Sequence, residues 1–324
     1  MRSGTTSFPM PKSSARSHHK PQLPPAGPPT VSPRWLAAAI GLTLVAAVFC
    51  GWAALCFVFW QGSWQLLYHP AKAVPRTPAS AGLSFDALGF AATEAGNPQL
   101  HGWWIPAAPD AANARYTAVY LHGANGNLAN TVDALARLHA AGLNILAFDY
   151  RGYGESLSAR PSEARWREDA ESALAYLTGT RHIPAASIIF IGEDLGANLA
   201  LQVAAAHPQL AGVVLCNPLE DPLSAVFNDP RAHLVPAHLL LRDRFDLNGP
   251  AASLRIPSLW MDSTQPGIQS PQGQSRQDEP PAYRRVTAPR EFVATGTSSG
   301  AAQDPCAALT LWLKSLPAET NSQQ

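Results

Sequence analysis

The sequence predicts an α/β fold, with a mostly parallel sheet flanked by helices and preceded by one transmembrane helix. Near-continuous apolar segments, 116–121 and 143–150, are typical of strands buried on both faces of a parallel sheet. A segment with helical periodicity, 132–141, lies between them, and this alternation indicates βαβ units. An uncharged apolar run from Trp35 to Trp60 predicts the transmembrane helix.

The N-terminal region predicts a tail, an anchor and a linker. Residues 1–34 are rich in Ser, Pro, His and Lys without a hydrophobic period, which predicts a disordered tail. The run over 35–60 can cross a hydrocarbon core of roughly 30 Å. It exceeds a signal-peptide core, and no small-x-small cleavage site follows it before Gln61, so we expect an uncleaved anchor. The prolines of 61–82 predict an extended surface linker.

The charges around the apolar run predict its orientation. Basic residues concentrate before the run, at Arg2, Lys12, Arg16, Lys20 and Arg34, whereas only Lys72 and Arg76 follow it closely. The positive-inside rule then places the N-terminus in the cytoplasm and the large domain on the extracytoplasmic side. The formal net charge of zero gives no general attraction to nucleic acid, and four cysteines do not make a disulfide framework.

One domain is expected over 83–317, followed by a tail at 318–324. The predicted strands outside the two central ones lie at 85–93, 100–105, 187–191, 212–216 and 291–294, and a further helix is predicted at 161–177. Residues 263–289 are rich in Pro, Gln and Ser, which predicts an irregular loop within the domain.

A short turn, Gly192-Glu193-Asp194-Leu195-Gly196, joins a β-branched strand to a helix rich in small residues. This order is the setting of a nucleophile elbow, which exposes a strained serine at the top of a sheet. Here Asp194 stands at the serine position. Two interpretations remain open, a chemical role for the carboxylate or a cap on the helix N-terminus.

The elbow is one of three motifs that follow the ends of predicted strands. They are LHGANGN from Leu121, FDYRGYGES from Phe148 and IGEDLGA from Ile191. Together with the apolar run, these motifs resemble the α/β-hydrolases over residues 61–262, and in particular the single-pass membrane-anchored α/β-hydrolase proteins. The resemblance implies an α/β-hydrolase fold and a serine-hydrolase or aminopeptidase-like activity.

The resemblance also implies the frame of an active site. Its oxyanion hole would use the backbone N–H groups of Ala124 and Leu195. The elbow and the loops at the edge of the site would contribute a further set of residues, which are His122, Gly123, Gly192, Glu193 and Gly196.

This chain departs from the family most strongly at the positions of the catalytic triad. The family order is nucleophile, acid and then histidine, but no histidine follows His238 and the expected loop contains residues 295–300 without one. Pro266 falls near the position of the acid, which leaves Asp262, Glu220 and Asp221 as candidates.

A productive Asp194 needs a substitute base. Enzymes with an aspartate nucleophile on this fold form an ester that a histidine-activated water hydrolyses. His233 and His238, in the segment 219–250, are candidates, and His122 is close in the fold but expected to be structural. Arg151 is expected to pair with a carboxylate beneath the site.

We therefore predict a membrane-anchored α/β-hydrolase family protein that is catalytically degenerate and binds a small-molecule or protein ligand. The alternative is an active hydrolase of ester, lipid or peptide substrates with a non-standard catalytic set, and a third possibility is a structural membrane protein. The membrane is an expected partner through 35–60, whereas a metal, a cofactor and nucleic acid are not expected.

Overall fold

A computed structural model describes residues 31–264, 279–296 and 304–317 of the chain. The chain divides into two compact units, residues 1–52 and residues 53–324. The predicted tails therefore lie mainly outside the described residues, as do 265–278 of the predicted irregular loop and residues 297–303.

The N-terminal apolar run forms one helix, α1, over Pro33–Gly62. Its most apolar window has a mean hydropathy of 2.4. By length and composition this helix is able to cross a membrane.

The second unit contains an eight-stranded sheet. Its strands are β1 Asp86–Ala92, β2 Pro98–Ile105, β3 Thr117–Leu121, β4 Asn144–Asp149, β5 Ile188–Glu193, β6 Gly212–Cys216, β7 Ser258–Thr264 and β8 Arg290–Gly296. Their order across the sheet is β8-β7-β6-β5-β3-β4-β2-β1. Among the described strands, β2 runs opposite to the other seven, so the predicted mostly parallel sheet is confirmed.

Helices cover both faces of the sheet, as the alternating strands and helices predict. They are α2 Val132–Ala140, α3 Glu163–Ala175, α4 Leu195–Ala206, α5 Ser224–Phe227, α6 Ala237–Leu240, α7 Asn248–Ser253 and α8 Pro305–Ser315. Apolar residues of α3 and α4 pack with Val119 and Leu121 on one face. Apolar residues of α2 and α8 pack with Ala118 and Tyr120 on the other, because successive strand residues point to opposite faces.

The prediction of an extended surface linker over 61–82 is wrong for its first part. A short 3-10 helix, Ser63–Leu66, follows α1, and the side chain of Tyr68 is only 1% exposed. Tyr68 packs on Trp166 and donates a hydrogen bond to Asp243 Oδ2 at 2.8 Å, while His69–Pro70 pairs with Asn125–Gly126. An aromatic anchor and a two-residue ladder therefore bind this segment to the domain.

Two further boundaries differ from the predicted ones. The helix expected at 161–177 begins one residue after Ser162, whose side chain accepts a hydrogen bond from the Arg165 N–H, and it continues into a π-helical turn, Tyr176–Thr180. In the predicted irregular region, β7 extends through Thr264, and residues 283–285 form a 3-10 turn.

Candidate functional site at the elbow

The elbow holds Asp194 in an unusual backbone conformation. Strand β5 ends at Glu193 and α4 begins at Leu195, so Asp194 is the single residue between them. Its φ is 52° and its ψ is −121°, a region that non-glycine residues rarely occupy. Such backbone strain costs on the order of 1–3 kcal/mol and is found mainly at functional sites. The backbone thus has the shape of a nucleophile elbow although the side chain is not serine.

Close packing explains the two glycines of the elbow. A Cβ atom at Gly192 would lie 2.1 Å from the carbonyl oxygen of Gly196. A Cβ atom at Gly196 would lie 2.2 Å from the carbonyl oxygen of Leu121, at the end of β3. Both contacts are with backbone atoms, which cannot move aside, so only glycine fits at either position.

The Asp194 side chain does not cap α4. Its carbonyl oxygen accepts the hydrogen bond of the Ala197 N–H at 3.0 Å, but its carboxylate makes no capping bond. The carboxylate instead lies beside the loop after β3, since a Cβ atom at Gly123 would be 3.2 Å from Asp194 Oδ2. The capping interpretation is therefore wrong, and the carboxylate faces the expected site.

The two predicted oxyanion-hole donors lie on the elements that border this carboxylate. Leu195 is the first residue of α4, where an N–H has no helical acceptor. Ala124 is fixed through its carbonyl oxygen, which accepts from the His69 N–H at 3.0 Å and from the Tyr153 hydroxyl at 2.9 Å. Their role as oxyanion donors stays a prediction, with the backbone frame for it in place.

The His122 side chain is buried. Its Nδ1 lies 2.7 Å from the Gly123 carbonyl oxygen, and its Nε2 lies 3.5 Å from Asp149 Oδ1 without a hydrogen-bond partner. Its ring packs against those of Tyr150 and Tyr153. Burial lowers the pKa of His122 to about 4. The imidazole therefore supports the loop and is turned toward Asp149.

The other two candidate bases contact their own segment. His233 Nε2 lies 3.0 Å from the carbonyl oxygen of Phe227, and the ring of His238 lies 4.4 Å from the Phe227 ring. The three candidate histidines thus have contacts of their own, His122 with Gly123 and Asp149 and the other two with Phe227.

The candidate acids lie at three different places. Asp262 lies within β7 instead of in a turn after it, and it pairs in register with Ala294 of β8. Glu220 accepts a hydrogen bond from the Ala282 N–H at 3.1 Å, and burial raises the pKa of Glu220. Asp221 is exposed, and its carbonyl oxygen accepts from the Ser224 N–H.

The strand register nevertheless brings two carboxylates and an amide to one edge of the sheet. Glu193 pairs with Cys216, and Cys216 pairs with Met261, so the next residues are Asp194, Asn217 and Asp262 on three neighbouring strands. At a strand spacing of about 4.8 Å, the backbones of the two aspartates are roughly 10 Å apart. Asn217, like Asp194, has a φ of 52°.

Arg151 stabilises the loop beneath the site, as predicted. Its Nε lies 2.5 Å from Asp169 Oδ1, and its Nη2 lies 2.6 Å from Glu168 Oε2. The Arg151 N–H also donates to Asp169 Oδ2 at 2.8 Å. The arginine is therefore held by helix α3 and is not directed toward a substrate.

Glu193 lines a cavity that the sequence did not reveal. The Tyr120 hydroxyl donates to Glu193 Oε2 at 2.5 Å, and both border a cavity of about 460 Å³ between the sheet and helices α2 and α8. Its other polar lining includes Arg137, Cys216 and Cys306. Burial, followed by the charge of Glu193, raises the pKa of Tyr120. Among the described residues, no group of three or more His, Cys, Asp or Glu side chains is placed to hold a metal ion.

Residues 112–276, which include the elbow and the loops after β3 and β4, match the family model described as serine aminopeptidase, S33. The chain belongs to the serine aminopeptidase S33 family of α/β-hydrolases. Within this α/β-hydrolase family the elbow position belongs to a serine nucleophile, so Asp194 is a departure at the centre of the site.

Individual relatives agree with this assignment to the α/β-hydrolases. The chain is 30% identical over 220 residues to the uncharacterized protein Rv2307c of Mycobacterium tuberculosis, and this alignment covers 67% of the chain and 75% of the relative. It is 24% identical over 200 residues to the α/β-hydrolase domain-containing protein WAV2 of Arabidopsis thaliana, covering 58% of the chain and 61% of the relative. The solved structure of the esterase Pf2001 of Pyrococcus furiosus aligns with a TM-score of 0.54 at 18% identity, covering 76% of the chain and 99% of the esterase. The last similarity supports the fold alone.

Proposed function

We propose that this chain is a membrane-anchored α/β-hydrolase protein that binds a small-molecule or protein ligand at the elbow and has lost standard serine-hydrolase turnover. One observation carries the proposal. Asp194 has the strained elbow backbone with its carboxylate facing the loop of Gly123, while the three candidate histidines make their contacts with Gly123, Asp149 and Phe227.

Chemistry at an aspartate elbow needs two steps. The carboxylate can attack an alkyl carbon and form an ester while the bond from that carbon to its leaving group, such as the oxygen of an epoxide, breaks. Water must then hydrolyse that ester with the help of a base, which releases the alcohol and restores the carboxylate. His122 faces Asp149, and His233 and His238 contact Phe227. In a serine protease, the loss of the nucleophile or of the histidine lowers kcat by about 10⁶. A chain with both changes is therefore expected to bind without turnover.

The backbone groups around Asp194 favour the binding of a ligand. The Leu195 N–H at the start of α4 and the neighbouring Ala124 loop offer backbone donors, and Asp194 adds an acceptor with a negative charge. A ligand that presents a hydroxyl or amine next to a carbonyl would match this arrangement of donors and acceptor.

Anchoring to the membrane is the second part of the proposal. Helix α1 has the length and the apolar composition of a span, and basic residues concentrate in the chain before it. The positive-inside rule then supports a single pass with the N-terminus in the cytoplasm and the α/β-hydrolase domain on the extracytoplasmic side.

An active hydrolase with a rebuilt catalytic set is the competing function, and the strain at Asp194 favours it. A side chain held at a φ of 52° is what an exposed nucleophile requires. The competing function would act on ester, lipid or peptide substrates with a non-standard catalytic set.

Hydrolysis of a short-chain nitrophenyl ester by the full chain in detergent separates the two functions. We expect the wild type, Asp194→Ala and Asp194→Ser to release nitrophenol at the same background rate. The serine variant is included because a serine without a histidine base stays unactivated. Turnover by the wild type that disappears in Asp194→Ala would refute the proposal in favour of the active hydrolase.

A further inference from the structure

A second cavity lies within the second unit, beside the C-terminal end of helix α1. It measures about 550 Å³ and is lined by the last turn of α1, the start of α3 and residues 240–243. Trp60 and Trp64 form part of its wall, and Leu67 and Leu241 add apolar surface. The site combines aromatic, apolar and strongly basic lining.

The cavity carries an excess of positive charge. Four arginines line it, Arg160, Arg165, Arg167 and Arg242, against two carboxylates, Glu163 and Asp243. Both carboxylates already have partners, because Glu163 accepts from Gln202 Nε2 at 2.8 Å and from the Arg244 N–H at 2.7 Å, and Asp243 accepts from the Tyr68 hydroxyl. Arg167 lies 3.8 Å from Glu163 Oε1, and Arg165 donates to the Arg160 carbonyl oxygen at 2.7 Å. Arg160 and Arg242 are therefore the two arginines whose charge is left for a ligand.

Aromatic rings hold two of these arginines in place. The guanidinium of Arg242 lies 4.9 Å from the ring centroid of Trp60, and that of Arg160 lies 5.8 Å from the centroid of Trp64. Neither guanidinium forms an ion pair with a carboxylate of the described residues. A guanidinium stacked on an aromatic ring keeps its N–H donors available for the oxygens of an anion, and it matches phosphate geometry well.

The N-terminus of α3 adds to the positive electrostatic potential of the cavity. Its first turn, after the cap residue Ser162, lines the same cavity. Backbone N–H groups at a helix N-terminus and the helix dipole both favour a negatively charged ligand there. The four arginines and the helix terminus therefore favour the same kind of ligand.

The position in the chain identifies the source of the anion. Trp60 ends the apolar run that predicts the membrane span, so the cavity follows directly where a span would leave the bilayer. Tryptophan is enriched at that interface. Leu239, next to the cavity residues Leu240 and Leu241, is 82% exposed and offers an apolar contact beside the charged site.

We propose that this cavity binds the phosphate headgroup of an anionic phospholipid from the bilayer that surrounds α1. Arg160 and Arg242 contact the phosphate oxygens, while Trp60, Trp64 and Leu239 contact the glycerol and acyl region. The inference rests on the proposed anchoring by α1 and adds a specific lipid ligand to it. It is independent of the chemistry at Asp194.

Lipid retention by the full chain tests the proposal. The protein is purified in detergent, mixed with equal amounts of phosphatidylglycerol and phosphatidylcholine, and the bound lipids are quantified by native mass spectrometry. We expect the wild type to retain phosphatidylglycerol preferentially and the double variant Arg160→Gln/Arg242→Gln to lose at least about tenfold in that retention. Arg115→Gln is the matched control, because Arg115 also stacks on an aromatic ring, 4.6 Å from the centroid of Tyr116, outside the cavity.

Other outcomes would overturn the inference. Equal retention by the double variant, with thermal unfolding like that of the wild type, would show that the cavity is not the lipid site. Displacement of the lipid by inorganic phosphate alone would assign the site to a free anion. Alkaline carbonate extraction of wild-type membranes tests the anchor separately, so that a failure of anchoring and a failure of lipid binding give different results.

Discussion

At the scale of single residues, the backbone of Asp194 explains most of what the elbow can do. Its φ of 52° directs the side chain out of the strand and helix and toward the Gly123 loop. A simple cap would not need this strain, because an ordinary N-cap residue is extended and bonds the next turn. The conformation is therefore retained together with the family's site.

The cost of this strain can be measured by comparing two variants that both remove the carboxylate. We expect Asp194→Gly to be more stable than Asp194→Ala by about 1 kcal/mol, since glycine adopts a positive φ without strain. For a domain of this size, that difference raises the thermal midpoint by about 2–4 °C.

A helical position provides the control for this comparison. Glu168→Gly and Glu168→Ala, within α3, both lose the contact with Arg151, and there the alanine variant is expected to be the more stable one. Equal midpoints for the two Asp194 variants would mean that the elbow backbone carries no strain.

The sequence predicted the position of the elbow but not the direction of its side chains. Glycines flanking a turn between a strand and a helix are visible in the sequence as a local pattern. The bond between Tyr120 and Glu193, and the ring of His122 turned toward Asp149, depend on contacts between distant segments. No local pattern encodes such contacts, which is why the capping interpretation of Asp194 was open and then proved wrong.

At the scale of elements, the ends of β3 and β4 are joined by a buried contact between His122 and Asp149. Burial lowers the pKa of His122 to about 4 and raises that of Asp149 to about 7. Burial disfavours both charged forms, so the two side chains form a neutral contact although Nε2 and Oδ1 are 3.5 Å apart.

These two shifts have opposite effects on stability. His122 has a lower pKa folded than unfolded, so its contribution is present above its ordinary 6.5 and is lost as the pH falls to about 4. Asp149 has a raised pKa, so its contribution is present below its ordinary 3.8 and is lost as the pH rises to about 7. Between pH 4 and pH 6.5 the two opposite pH dependences of the free energy of unfolding offset each other in the wild type.

The substitution Asp149→Asn removes the pH-dependent contribution of Asp149 and leaves that of His122. We expect the free energy of unfolding of this variant to rise with pH between 4 and 6.5, more steeply than in the wild type, by up to about 1.4 kcal/mol per pH unit. Chemical denaturation of the full chain in detergent at several pH values measures this slope. Asp86→Asn, at an exposed position of β1, is the control, and parallel profiles for Asp149→Asn and the wild type would contradict the assignment.

Elements with a clear period were predictable and elements without one were not. The buried strands β3, β4, β5 and β6 were evident because residues buried on both faces of a sheet are continuously apolar. The packed segment 63–70 was missed, because prolines predict an exposed chain unless an anchor such as Tyr68 is known to reach Asp243, which lies far along the sequence. The arginine cavity was missed for the same reason.

At the scale of the whole molecule, the chain combines an apolar helix with a complete hydrolase-type sheet. The parallel strands follow from βαβ units, and β2 is antiparallel to β1 because a short turn joins the two strands. The match to the serine aminopeptidase S33 family agrees with this fold. The frame was therefore predictable from motifs at strand ends. The activity was not, because a fold supports many functions and the departure at Asp194 changes the chemistry of the site.

The central claim is that Asp194 does not act as a nucleophile, and isotope incorporation tests it most directly. If Asp194 attacked an alkyl carbon, water would then attack the carbonyl carbon of the aspartyl ester and leave one of its oxygen atoms in the carboxylate. The full chain is incubated in water labelled with heavy oxygen, with an epoxide and a short-chain ester as substrates, and the peptide that contains Asp194 is analysed by mass spectrometry. We predict an unchanged mass for that peptide, and a gain of heavy oxygen at Asp194 that requires substrate would contradict the account.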